Sequence, residues 1–144
     1  MTKQMKASEV LLKLLKYWEA CSVDSEGQTR GLIAIWNHRK CKLTPYKTRE
    51  GILLEGRIQG FKETIRLLNV YAPYKYSRVF WENVEASSFL SLPNLIMGGD
   101  LNFTMFSHEN WGMMSLVDML ASFFQAIFRR NNLIDIIPPK LSPT

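Results

Sequence analysis

The run Asn94-Leu95-Ile96-Met97-Gly98-Gly99-Asp100-Leu101-Asn102 most constrains what this chain can fold into. Amide and apolar residues lead into two glycines, and an Asp and an Asn follow two positions apart. A buried strand reads this way when it leaves a core and presents polar groups at its end. If the strand's period of two carries through, Asp100 and Asn102 point to one face. A carboxylate there can orient or deprotonate a water, and an amide can donate to a phosphate oxygen. The same residue types also make a tight turn after a core strand. On this segment alone the turn is the simpler reading.

The chain around it has the length of one domain, 144 residues. Hydrophobic residues make up 47% and charged residues 22%, a globular rather than a disordered balance. The longest apolar runs, such as Ile33-Ala34-Ile35-Trp36, are too short to cross a bilayer, so no membrane partner is expected. No secretory leader is visible, and Lys13 and Lys16 interrupt the apolar residues near the start. Two cysteines, Cys21 and Cys41, are too few for a disulfide scaffold. An intracellular setting with reduced thiols, and no disulfide-linked partner, is expected. A net charge of +5 mildly favours an anionic partner such as nucleic acid. The densest basic cluster, His38-Arg39-Lys40-Cys41-Lys42, reads as a solvated turn before it reads as a binding patch.

Periodicity predicts a helix over Lys6 to Glu19, with Leu11, Leu14, Leu15 and Trp18 on one stripe. Strands are expected at Gly31–Trp36, Gly51–Ile58 and Thr64–Tyr71, with a turn near Gln59-Gly60. Thr44–Glu50, which contains Pro45, reads as a loop or an edge. Apolar residues on both faces of Thr64–Tyr71 suit a strand covered on both sides. Helices are expected at Ser77–Leu90 and Ser115–Arg130, with Arg129 and Arg130 complementing the dipole of the second. A short extended piece follows at Leu133–Ile137. This order predicts an α/β (α+β) layered sandwich around a mixed sheet, as one domain over 1–144.

A second strand end carries polar groups. Asn69 and Tyr71 share a face by the same period of two, and a tyrosine hydroxyl there can hydrogen-bond a phosphate. A tyrosine packed at a sheet edge is the plainer alternative. Two strands that both finish in phosphate-compatible groups strengthen the functional reading, because α/β folds place ligands at sheet ends. His38 and Cys41 lack a second Cys/His pair for zinc, and His108 reads as a surface histidine.

Taken together, Asn69-Val70-Tyr71-Ala72-Pro73, Arg78-Val79-Phe80-Trp81, Ile96 to Asn102, Glu109 and Leu133-Ile134-Asp135 resemble the endonuclease/exonuclease/phosphatase superfamily. Within it the chain is similar to the apurinic-endonuclease-like domain of plant LINE retrotransposons, including Cys21 to Gly27 and Gly31-Leu32. The resemblance implies a two-sheet α/β sandwich with helices outside and Mg²⁺-dependent hydrolysis of DNA phosphodiesters. It implies that Asp100 activates the attacking water, that Asn102 positions the phosphate, and that Tyr71 hydrogen-bonds it. It also implies DNA as partner and a reverse transcriptase domain in the parent element.

The sequence departs from that pattern. Met1 stands where relatives carry a metal-ligating Glu, and a thioether is a poor Mg²⁺ ligand. No residue matches the family's general-base His, Tyr74 replaces a common Asn, and Thr29-Arg30-Gly31 replaces a Ser-Gly-Gly. These departures imply a partial domain, short at both ends, with weak or no activity alone. Two alternatives stay open: a catalytically dead relic that binds nucleic acid, and an unrelated α/β interaction domain.

Overall fold

The computed structural model describes residues 16–23, 31–103 and 119–136. In chain order these hold β1 (Trp18–Val23), β2 (Leu32–Asn37), β3 (Cys41–Lys47), β4 (Gly51–Ile58), β5 (Ile65–Tyr71), α1 (Ser77–Ala86), a 3-10 turn (Phe89–Ser91), β6 (Leu95–Asp100) and α2 (Ala121–Arg130). They fall into two compact units, one drawn from Met1–Ala72 and Leu92–Leu101, the other from Pro73–Ser91 and Asn102–Thr144.

The first unit contains two sheets. β1 and β2 pair antiparallel, with Cys21 opposite Ala34. The larger sheet runs β3-β4-β5-β6 and is mixed, as expected: its first three strands are antiparallel and β6 is parallel to β5. Strand alternation sends Cys21 and Trp36 of the small sheet, and Leu43, Ile52 and Leu54 of the large one, into a shared core. Val23, Leu32, Ala34, Cys41, Ile58 and Leu67 pack around them. The opposite face of the large sheet buries Leu53, Leu68 and Val70. β5 is thus covered on both faces. Each fully buried aliphatic side chain of this kind contributes about 1.5–3 kcal/mol.

One strand lies where the sequence suggested a helix, and one resolves an open alternative as an edge. Trp18 opens β1 and does not belong to a helical stripe; Leu11, Leu14 and Leu15 lie outside the described residues. Pairing with β2 satisfies the β1 backbone, and a single-sequence period cannot see that partner. β3 extends from Cys41 to Lys47 and makes the Thr44–Glu50 segment an edge strand over its first four residues. Pro45 is tolerated because β3 has a single neighbour, β4. The chain then turns at Thr48, whose Oγ1 accepts from the Gly51 and Glu50 amides at 3.0 and 3.2 Å.

In the second unit α1 ends at Ala86, short of the expected Leu90, and Leu90 falls in the 3-10 turn. α2 starts at Ala121 after a turn at Met119 and Leu120; residues 115–118 lie outside the described ones. No strand forms over residues 133–136, and Ile137 is not described. The core of this unit is aromatic. Phe103 stacks on Phe124 at 3.9 Å between centroids, and Trp81 meets both edge-on at 5.3 and 6.0 Å.

Arg130 and Glu85 tie α2 to α1. Arg130 Nε and Nη2 donate to the two Glu85 carboxylate oxygens at 3.0 and 2.8 Å, and Asn131 Nδ2 adds a third bond at 3.0 Å. The Arg130 hydrogen bond holds the Glu85 carboxyl below its ordinary range, against the opposing effect of burial.

Candidate functional site

β5 and β6 finish side by side. Their register runs from Arg66 opposite Leu95 to Tyr71 opposite Asp100. Parallel neighbours lie about 4.8 Å apart, and register partners share a face, so Tyr71 and Asp100 stand together at the C-terminal ends of the two strands. Asn69 and Gly98 are the pair one step back on that face. Ile52 of β4 pairs with Asn69, so this is the face of the large sheet that turns toward β1 and β2. Tyr71 is half-buried and Asp100 is exposed.

Both ends of the pair are pinned. At the start, Arg66 Nε donates to Glu55 Oε2 at 2.7 Å and Nη1 donates to the Pro93 carbonyl at 2.9 Å. The Arg66 amide donates to Asn94 O at 3.0 Å, and Asn94 Nδ2 returns a bond to Thr64 O at 3.2 Å. At the far end the Ala72 amide donates to Asp100 O at 2.8 Å. Gly99 permits the close approach between these points. Its φ is 124°, and a Cβ there would lie 2.0 Å from the Val70 carbonyl oxygen. A slip of one residue would turn Asp100 to the other face, so these contacts decide whether it meets Tyr71.

Asn102 is placed differently. β6 stops at Asp100, and Asn102 has φ 49°, in the left-handed region that Asn tolerates better than most residues. Strand periodicity therefore does not reach Asn102, which belongs to the second unit. The pair for which the fold gives a common geometry is Tyr71 with Asp100.

The other candidates make no hydrogen bond or ion pair with Tyr71 or Asp100, or lie outside the described residues. His38 sits in the turn after β2, edge-on to Tyr17 and 3.9 Å from Glu19. Cys21 and Cys41 are free thiols. His108, Glu109, Met113 and Met114 lie outside the described residues. Among the described residues no group of three or more His, Cys, Asp or Glu gathers to hold a metal ion. No described helix is long and apolar enough to cross a membrane.

Sequence reasoning missed Arg66 and its anchors. The signal was present: a lone Arg in the apolar run Ile65 to Leu68, and a lone Glu after Leu53-Leu54. Two opposite charges inside neighbouring apolar strands point to a cross-strand pair. Comparison with known proteins adds no kinship: no protein-family model matches the chain, and no curated protein matches it.

Proposed function

We propose that the chain is an endonuclease/exonuclease/phosphatase-type domain of the LINE kind, its two sheets forming part of that sandwich, and that it hydrolyses DNA phosphodiesters. The observation that supports this reading most is the register pairing of Tyr71 with Asp100 at the C-terminal ends of adjacent parallel strands. Ligands of layered α/β folds bind at such ends. In the proposed step, the Asp100 carboxylate accepts a hydrogen bond from a water and takes its proton as the water oxygen bonds to phosphorus. The Tyr71 hydroxyl donates to a non-bridging phosphate oxygen and stabilises its growing charge. The P–O ester bond breaks, and the departing oxygen takes a proton from solvent. Asn102 enters through the resemblance, as an amide donor to the phosphate.

Mg²⁺ enters as the cofactor the resemblance implies. The described side chains do not by themselves make a resident site for it, so each step above runs through the chain's own groups. Met1 in the place of the ligating Glu sets the expected rate low.

The test is nicking of supercoiled plasmid with protein in excess. The expected result is slow nicking that EDTA stops and that Asp100→Asn lowers at least ~100-fold, as removal of a proton acceptor does. Nicking indifferent to Asp100→Asn or to EDTA overturns the reading. With no nicking over hours, salt-dependent DNA binding that survives Asp100→Ala identifies a binding relic instead.

A further inference from the structure

The first unit leaves part of its inner face bare. The small sheet shares a core with Leu43, Ile52 and Leu54 of the large one and packs on Leu67, and no β6 residue joins that core. Ile96, Gly98 and Asp100 of β6 lie on the same face and are all exposed, Ile96 by 52%. Their register partners on β5 are Leu67, Asn69 and Tyr71, each half-buried. Parallel register puts the six on one continuous strip, with about 6.6 Å between successive pairs.

The strip changes character along its length. Its lower pair, Leu67 and Ile96, is apolar. Its upper pair, Tyr71 and Asp100, is the proposed phosphate site. Between them Gly98 supplies no side chain, and a Cβ there would meet nothing within 4 Å. A gap therefore lies one pair below Asp100, and Asn69 borders it. The Asn69 carboxamide leans onto β6, with Oδ1 3.0 Å from where a Cβ of Gly99 would lie. No described residue gives that carboxamide a hydrogen bond. A half-buried amide without a partner costs stability, and a ligand oxygen placed in the gap offsets that cost.

Charge and shape narrow the ligand. The six residues include one carboxylate and no cation, so the gap is not built for a second phosphate. Apart from Tyr71 they include no aromatic ring, and so offer no platform on which a base stacks. One amide beside an apolar floor fits a compact neutral group with few oxygens. The neutral group bonded directly to the phosphate of a DNA strand is deoxyribose. We infer that the gap at Gly98 seats the deoxyribose attached to the phosphate at Tyr71 and Asp100, with Asn69 Nδ2 donating to a sugar oxygen and Ile96 against the sugar carbons. This sugar site rests on the reading of Tyr71 and Asp100 as a phosphate site; it does not require hydrolysis.

The experiment titrates the full chain with thymidine 5′-monophosphate and, separately, with inorganic phosphate, each in buffer containing magnesium. Binding is followed by ¹H–¹⁵N NMR at the Gly98 main-chain amide and the Asn69 side-chain amide. Both signals are expected to shift with the nucleotide, at a half-saturating concentration about fivefold or more below that of phosphate, the worth of one net hydrogen bond. Gly98→Val fills the gap and Asn69→Ala removes the donor. Each is expected to bring the nucleotide to the affinity of phosphate, read at the signal that remains, with thermal melts showing the fold retained. Equal affinities in the wild type overturn the inference, as does a nucleotide preference that survives Gly98→Val. So does a chain that binds neither compound. A nucleotide preference without nicking leaves the sugar site standing and drops hydrolysis by the chain alone. Asp100-dependent nicking without the preference does the reverse.

Discussion

Gly98 and Gly99 are neighbours in sequence with opposite tolerances for a side chain, and the contrast tests how β6 is held. At Gly98 a Cβ would meet nothing within 4 Å. At Gly99 it would fall 2.0 Å from the Val70 carbonyl oxygen and 3.0 Å from Asn69 Oδ1, on a backbone with φ 124°. Ordinary contact begins near 3.4 Å, so β6 must retreat from β5 by roughly 1.4 Å or adopt a new backbone path. A non-Gly residue in that backbone region costs about 1–3 kcal/mol. Losing one or two ladder hydrogen bonds costs about 0.5–1.5 kcal/mol each. Gly99→Ala should therefore destabilise by about 2–6 kcal/mol, a large part of the 5–15 kcal/mol typical of a domain. Gly98→Ala should stay within about 1 kcal/mol and can be stabilising, since it lowers the entropy of the unfolded chain. Urea unfolding followed by tryptophan fluorescence measures both. Equal midpoints for the two variants would refute this packing of β6 against β5.

Phe124 is 1% exposed and stacks on Phe103, so Phe124→Ala should cost about 3–5 kcal/mol in the same urea assay. The Glu85 carboxyl is held low by Arg130, so its contribution to stability is full above about pH 4.5 and is lost as pH falls through the lower folded-state value. Acid titration of the melting temperature should show this loss, and Glu85→Gln should remove that part of the pH dependence. Arg66→Met should loosen the start of β6 and lower Asp100-dependent nicking without touching Asp100 itself, since Arg66 bonds Glu55 and Pro93 at the other end of the strand pair. Unchanged nicking would show that Arg66 does not position the site.

Much of the large sheet could be read in advance because its strands carry their own signals. Gly51–Ile58 is bounded by glycine and a Gln59-Gly60 turn, and its expected limits match β4. Ile65–Tyr71 is apolar on both faces and lies inside the sheet, as such a pattern requires. β1 and β3 were less legible for a physical reason. Trp18–Val23 mixes small, polar and aromatic residues, and Cys41–Lys47 holds a proline and two lysines. Each is a strand because of the partner it pairs with, and pairing across distant segments leaves no local period. The candidate site follows the same division. Alternation along β5 puts Asn69 and Tyr71 on one face, and that was readable. Tyr71 meeting Asp100 depends on parallel register, which the sequence does not encode locally. Asn102 shows the converse: β6 ends at Asp100, so the condition that period two carries through to Asn102 is not met.

The claim that Tyr71 and Asp100 act on one phosphate is tested most directly by a double-mutant cycle on the plasmid-nicking rate, using Tyr71→Phe, Asp100→Asn and both together. Groups that serve one transition state are strongly non-additive. The account predicts that Tyr71→Phe alone slows nicking about tenfold or more, and that adding it to Asp100→Asn slows the reaction by no more than about threefold further. Full multiplication of the two effects, or a Tyr71→Phe variant as fast as the wild type, would contradict it.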